Sequence, residues 1–599
     1  MSNLERPYSR GKRTTFCGAL SIALGAALLS GCGGGAELVP PLVGNAPADI
    51  TVAEGSMAAF TVVPLIEPNG LSFEWSVDGL AVTASNTAAL SWGPVQLGDD
   101  GKVFTAELSN PLGRVTSAGA TLTVTPRAWT APVNLGDADA GVRETRPKPL
   151  LAVAGNGRVY ALITRFDQST RSTLWLARKD AGQEAFTIVR LVRGGGTGAA
   201  DGLIREMALA ADAAGRAVMV WREEARGLTN TSSIWVSVEG ADSAGTSGRI
   251  DAQRLSSVNA EFAAEPSVAA IAAGGFEVVW AEQAIVFQTS RIVGRRLTFN
   301  AAGTGSFSAA QPTDLGDADS FSPQIASDEQ GNTTLVWQGR LGANSNGFGI
   351  FANRRAAGTT SWNAGDALRI DQLPGTASAP QLRVNARGTA SAIWHENTQF
   401  GTGSVQWALR KPGQAWQSAE TVAQWYGFQE PAFALCPNDD VAIVSLRDGF
   451  DGQRLYHWRY DAADGSGTWG APSFINGVDG GYDQASTPQV GCDGANNHVV
   501  SWTHVHRDLV ATGPNTTQTL NLSREVRARR FIAGIAPHHP GQTGWADWLA
   551  AQTVSGASSD GTFAADAALA VAPDGSATLL FNRAATASNT EAWFAAVLR

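Results

Sequence analysis

From Trp129 to the C-terminus one spacing recurs: a proline or a substitute, a glycine eight residues on, and a large apolar residue six residues later. Five copies keep it closely: Pro149/Gly157/Ile163, Pro266/Gly274/Trp280, Pro323/Gly331/Trp337, Pro380/Gly388/Trp394 and, with asparagine for glycine, Pro488/Asn496/Trp502. Met207/Gly215/Trp221 and Ala567/Gly575/Phe581 hold the spacing without the proline, and the sixth copy, over residues 431–446, reads as carrying one extra residue before Leu446. A constant offset through two strands and their turn marks a hairpin repeated in register. After each hairpin comes a third strand with a basic end, as in Leu174-Trp175-Leu176-Ala177-Arg178 and Val405-Gln406-Trp407-Ala408-Leu409-Arg410. A fourth strand follows in several copies, with Trp362, Trp416 or Trp469 near its start.

Four antiparallel strands per repeat, stacked radially, form a propeller blade. The ends of the repeat region support a ring. Residues 128–133 read as a fourth strand and residues 593–599 as a third, so the first segment completes the last repeat and removes an exposed edge. A stacked β-solenoid competes with this reading but has no need of complementary partial repeats. The expected fold class is all-β, with an eight-bladed β-propeller closed by a split blade over this region. Composition agrees, because charged residues are only 16% while Gly numbers 67 and Trp 19. In such a ring Trp221, Trp280, Trp337, Trp394 and Trp502 share one position, which assigns them to packing between blades rather than to ligand stacking.

Residues 1–13 are polar and basic, and residues 16–29 form an apolar run too short to span a bilayer. The run ends in Leu29-Ser30-Gly31-Cys32, which resembles the lipobox of bacterial lipoproteins. The resemblance implies a signal peptide over 1–31, acylation (palmitate among the chains) of Cys32, a lipidated tether over 32–43, and a site at the outer membrane facing periplasm or cell surface. Gly33 after the cysteine carries the outer-membrane part of that expectation. Net charge is −10, and removal of the first 31 residues, with Arg6, Arg10, Lys12 and Arg13 against Glu5, leaves −13. Such a chain is unsuited to nucleic acid.

Within residues 44–126 short strands alternate with turns such as Asp78-Gly79 and Asn110-Pro111. Trp75 follows Val62 by 13 residues, and residues 99–106 resemble the corner that opens the sixth strand of immunoglobulin domains. Val62 and Ala106 stand where the intersheet disulfide usually lies, and Phe104 replaces the corner tyrosine. The resemblance implies an immunoglobulin-like sandwich, followed by the β-propeller, that serves as a disulfide-free spacer or adhesion module. Residues 127–599 form the repeat domain, whose pattern resembles the propellers of bacterial sialidase-like repeat lipoproteins. The sialidase Asp-box is not reproduced, since residues 327–331 have the wrong spacing, and no arginine triad can be assigned.

Candidate chemistry is sparse. Two residues past the repeated apolar position lie Glu223, Glu282, Glu396 and, in the sixth copy, Asp448, expected as a ligand-binding rim on one face. Paired carboxylates about 5–10 Å apart could hydrolyse a glycoside. Five of the seven histidines, His498, His504, His506, His538 and His539, fall in the seventh repeat, which also has the longest insertions. His504 and His506 share a strand face and are weak metal candidates without a third ligand; polar loop decoration is the preferred reading, and no cofactor is expected. Acidic loops at residues 135–139 and 315–319 do not complete a calcium motif. Cys436 and Cys492, the two cysteines of the folded body, are expected to form a disulfide between neighbouring blades, because export permits oxidation.

The leading expectation is a monomeric, non-enzymatic scaffold, anchored to the membrane by lipid, that binds a glycan or protein ligand. A sialidase-like or other glycoside hydrolase is the second reading and an envelope-assembly scaffold the third.

Overall fold

The computed structural model describes residues 39–599 except 66–69, 83–85, 136–146, 167–171, 194–201, 225–230, 284–288, 315–318, 372–375, 398–401, 427–430, 463–466, 477–483, 534–547, 557–561 and 586–590, with breaks of one or two residues at 243, 259, 273, 343–344, 346, 360, 450–451 and 514–515. The expected signal peptide over residues 1–31, Cys32, His538 and His539 lie outside the described residues. The described chain is all-β, with two short 3-10 turns as its helical content. Its described residues divide into two compact units, one drawn from residues 39–48, 60–90 and 103–120, the other from 49–59, 91–102 and 121–599.

In the first unit Ser72–Val77 pairs antiparallel with Val103–Asn110, which turns back into Gly113–Thr116. Trp75 stands opposite Ala106 and is fully buried, its indole Nε1 donating to the Thr87 carbonyl at 2.9 Å. Phe104 stacks on Phe60 with ring centroids 4.2 Å apart, an aromatic contact between two buried residues. Val62 and Ala106 are both buried apolar positions, filled by packing rather than a covalent link.

The second unit contains a parallel pair, Ile50–Ala53 against residues 122–125, and then a succession of antiparallel sheets, most of them four-stranded. Their first strands are Leu150–Val153, Leu203–Ala211, Phe262–Ala270, Ser320–Ser327, Thr376–Val384, Ala432–Leu435, Gln484–Cys492 and Thr562–Val571. Each touches the next in chain order, and Thr562–Val571 touches Leu150–Val153, which closes a ring of the β-propeller kind. The last sheet has only three strands of its own. Val133–Asn134 supplies the fourth, with Val133 opposite Ala595 and Asn134 opposite Phe594. Trp129 bridges Leu598, and the Thr130 and Leu135 amides donate to the carbonyls of Val597 and Trp593. The expected pairing of the chain ends is therefore present.

The repeated spacing has one cause in every hairpin. The residue five after the proline position opens a turn closed by a residue four further on, as in Asp212 with Arg216 and Asn385 with Thr389. Between them the repeat's glycine adopts a left-handed backbone, φ +89° at both Gly215 and Gly388. Asp212, Asp328, Asn385 and Asp493 brace the turn by accepting the amide four residues ahead. In the sixth copy Asp439 takes the left-handed place at φ 78°, eight residues after Pro431. The extra residue read from sequence is thus absent: the residue six past Asp439 is Ser445, and Leu446 lies one step beyond the repeated position.

That position packs each sheet on its predecessor. Trp221 lies among Tyr160, Leu162 and Leu176, Trp280 among Val218, Val220 and Val236, and Trp394 among Val336, Ile350 and Ala352. Trp337 and Trp502 repeat the arrangement, and all five indoles are buried. Where Ser445 leaves the position small, Trp407 fills the joint from the preceding sheet, 4.7 Å from Tyr460 and 5.0 Å from Trp469. Cys436, which opens the sixth turn, and Cys492, at the end of the next first strand, form the expected disulfide, Cα–Cα 5.3 Å. At a sequence separation of 56, the chain-entropy model gives about 4 kcal/mol.

Removal of residues 593–599 would take away buried Trp593, Ala595, Ala596, Val597 and Leu598. Loss of one buried tryptophan side chain already costs about 3–5 kcal/mol, so the truncation should lower the midpoint of a single thermal transition by many degrees. An unchanged melting curve would contradict closure by the chain ends.

Candidate functional site

Glu223, Glu282 and Glu396 each stand one residue before the end of a second strand, two residues past the repeated tryptophan, opposite Ile204, Ala263 and Ala377 of their first strands. The three sites are therefore equivalent by register. Period-two alternation puts each carboxylate on the same strand face as its tryptophan. Glu223 is 5% exposed, and its two oxygens receive Nη2 and Nε of Arg193 at 2.8 and 3.1 Å. The Gly202 amide adds a third bond at 3.1 Å, and the Arg193 guanidinium lies 4.8 Å from the centre of the Trp235 ring. Glu282 accepts the Trp280 indole at 2.8 Å and the Ser257 amide at 3.3 Å. Glu396 is 1% exposed, and its charge, after Asp371, helps hold the Arg369 guanidinium above its ordinary pKa. Glu223 and Glu396 thus lie inside the sheet joints. Because Asp439 occupies the sixth glycine place, the residue equivalent to these three is Arg447, and Asp448 falls one position out of register; the Asp448 side chain lies outside the described residues.

A second set was not singled out from sequence. Glu265, Ser322, Ala379, Thr487 and Asp566 all have φ between +47° and +56°, and each immediately precedes the repeated proline position. The register of their first strands shifts at the same point, marking a bulge in each. Non-glycine residues in this region cost on the order of 1–3 kcal/mol apiece, so surrounding contacts must hold them. Those contacts run from strand to strand. The Ser322 amide and hydroxyl donate to the Glu265 carboxylate at 2.6 and 3.1 Å, the Glu265 amide donates to Glu206 Oε2 at 2.5 Å, and Arg222 Nη1 donates to Glu206 Oε1 at 2.8 Å. Burial raises the Glu265 carboxyl pKa, against the lowering effect of the Ser322 bonds, and the nearby Glu206 charge pushes it the same way as burial. Scanning the residue before each repeated proline would have shown Lys148, Glu206, Glu265, Glu430 and Asp566 at equivalent positions.

The histidines separate into two places. His504 and His506 sit on one face of His498–Gly513, with Glu525 directly opposite His504 on Thr516–Phe531. Their three ligand-type atoms all lie within 4.8 Å of one another, which supplies the third side chain that sequence spacing could not identify. His498 instead meets His457 of the preceding sheet, Nδ1 to Nε2 3.1 Å, both rings buried against Phe531. His457 also meets Trp548 edge-on, and Arg459 reaches over Phe531. His538 and His539 lie outside the described residues.

No protein-family model matches the chain, and no curated protein matches it. Among solved structures it is similar to a polysaccharide lyase, an ulvan lyase, at 12% identity and TM-score 0.40, over 63% of this chain and 93% of that one. It is similar also to the NanB sialidase of Streptococcus pneumoniae, at 10% identity and TM-score 0.34, over 72% and 89% of the two chains. A Hadza microbial sialidase matches at 11% identity and TM-score 0.32, over 61% and 74%.

The paired imidazoles yield a pH dependence. Burial first, then the Arg459 charge, holds His498 at about 3, and burial together with His498 and Arg459 holds His457 well below its ordinary value. A depressed folded-state pKa means that the unfolded chain binds the proton first, so stability is full above about 6.5 and falls as pH drops below it. His498 alone would remove about 2 kcal/mol by pH 5. Urea midpoints measured between pH 7.5 and 5 should therefore fall, and a His498→Gln variant should fall less; parallel pH profiles for the two proteins would contradict the assignment.

Proposed function

We propose that this chain is a lipid-anchored binding scaffold of the bacterial envelope, acylated at Cys32 and held at the outer membrane. In this reading residues 44–126 are an immunoglobulin-like spacer and residues 127–599 an eight-bladed propeller that presents a ligand surface for a glycan or a protein segment. The observation that carries the non-hydrolytic part is the engagement of Glu223. Both its oxygens serve the Arg193 guanidinium, and Glu282 is likewise tied to the Trp280 indole. Carboxylates committed to such bonds brace the joints between strands, whereas glycoside hydrolysis needs an acid free to protonate a leaving group and a partner free to act as base or nucleophile. A rigid ring with loops at its strand ends is suited to binding without turnover.

The hydrolase reading has one specific observation in its favour, the raised carboxyl of Glu265, since a carboxyl shifted upward can act as a general acid. Its oxygens, however, already accept the amide and hydroxyl of Ser322.

The purified protein, screened on immobilised glycans and against chromogenic glycosides, should show ligand capture with no turnover. Turnover abolished by Glu265→Gln or Glu396→Gln would overturn the reading. In the expressing bacterium, Cys32→Ser should abolish lipid labelling and membrane partitioning; unchanged labelling would contradict the anchor.

A further inference from the structure

We propose that His504, His506 and Glu525 form a binding site for a divalent transition-metal ion of the zinc type. The local chain geometry assembles it. Residues two apart on a strand share a face, and a residue directly across an antiparallel ladder shares that face too, so one cross-strand pair plus one neighbour gives three converging side chains. The two imidazole rings lie 4.5 Å apart at 77° to each other, and His506 Nε2 stands 3.6 Å from Glu525 Oε1. Ligand atoms around a tetrahedral zinc, at about 2.0–2.1 Å from the ion, are about 3.4 Å from one another. The observed spread of up to 4.8 Å therefore closes onto an ion with side-chain shifts of about 1 Å, and the backbone need not move.

The donor set selects the ion class. Two imidazole nitrogens and one carboxylate suit zinc and its neighbours, while calcium and magnesium require more oxygen donors. The other cluster of metal-type side chains among the described residues, Cys436, Cys492 and His498, cannot serve, because its sulfurs are joined in the disulfide. His504 and Glu525 are buried, whereas the His506 side chain is 30% exposed, which provides entry for the ion and room for a fourth, exchangeable ligand. Glu525 is oriented by Arg527 and by the Thr553 hydroxyl at 3.2 Å, the outer-shell bonding that fixes a ligating carboxylate. Arg527 is the charge that opposes the ion, and metal binding requires it to share or release Oε1.

The site also has a distinctive place in the fold. His498–Gly513 and Thr516–Phe531 are 16 residues each, about twice the length of the corresponding strands elsewhere, and their register shifts between His506 and Arg507. An ion held by these three side chains clasps the two strands together at the root of that extension.

The test is titration of the full chain with Co2+ as a spectroscopic probe, then competition with Zn2+. One Co2+ per chain should give the visible bands of a low-symmetry four-coordinate site, Zn2+ should displace it, and Zn2+ should raise Tm. Because His506 is partly exposed, His506→Ala should keep the metal-free Tm while weakening binding by more than about 100-fold and losing the Zn2+-dependent rise. Glu525→Gln should weaken binding as well, and the double variant His538→Ala/His539→Ala should leave it intact. Absence of binding, unaltered affinity in His506→Ala, or a signal lost with His538 and His539 would each overturn the proposal.

Discussion

A ring of antiparallel sheets exists only if its last sheet meets its first, and here hydrogen bonds and side-chain packing make that joint. The last sheet lacks its outer strand until Val133–Asn134 arrives from some 460 residues upstream to lie against Glu591–Leu598. Without it, unpaired amides and carbonyls would line an open edge. The joint is dressed on both sides. Leu135, Val159, Ala161 and Ile163 pack with Leu580, Trp593 and Ala595, and the Trp593 indole donates to the Thr164 carbonyl at 3.2 Å. The residues that close the ring thus also form the core between its last and first sheets.

Around the ring apolar and polar couplings divide the work. A large side chain from the second strand fills the space against the preceding sheet at every joint but the sixth, where Trp407 reaches in from that preceding sheet, while ion pairs tie other elements across the joints. Arg355 grips Glu277 with two bonds at 2.8 and 2.6 Å, both residues nearly buried, and Trp362 donates to the same carboxylate. Breaking one partner of such a buried pair strands a charge and costs several kcal/mol, more than the intact pair contributes. The bulged residues Glu265 and Ser322 add a third kind of coupling, in which a first strand's strained backbone is held by a carboxylate of its neighbour. Polar groups that would mark a reactive site in isolation are consumed in this way by the architecture.

What could be read in the sequence follows from this division. Closure was legible because two incomplete repeats at the ends of the domain complement each other, and the tryptophans because a residue at a fixed place in many repeats must answer a repeated packing need. The sixth copy was misread for a physical reason: Asp439 can adopt the left-handed turn conformation that glycine usually supplies, and Ser445 leaves vacant the volume that Trp407 takes over. The level of Glu223, Glu282 and Glu396 followed from spacing. Their occupation did not, because Arg193, Gly202 and Ser257 come from strands and loops whose register no pattern fixed. Glu525 escaped for the same reason, since its place opposite His504 depends on the register of a long hairpin.

Amide hydrogen exchange tests closure most directly. The amides of Thr130 and Leu135, which bond to Val597 and Trp593, should exchange only through global unfolding, with the same free energy as the amides of Ala217–Glu224. Rapid local exchange at Thr130 and Leu135, while Ala217–Glu224 stays protected, would show that the N-terminal strand is an ornament on a ring held shut by something else.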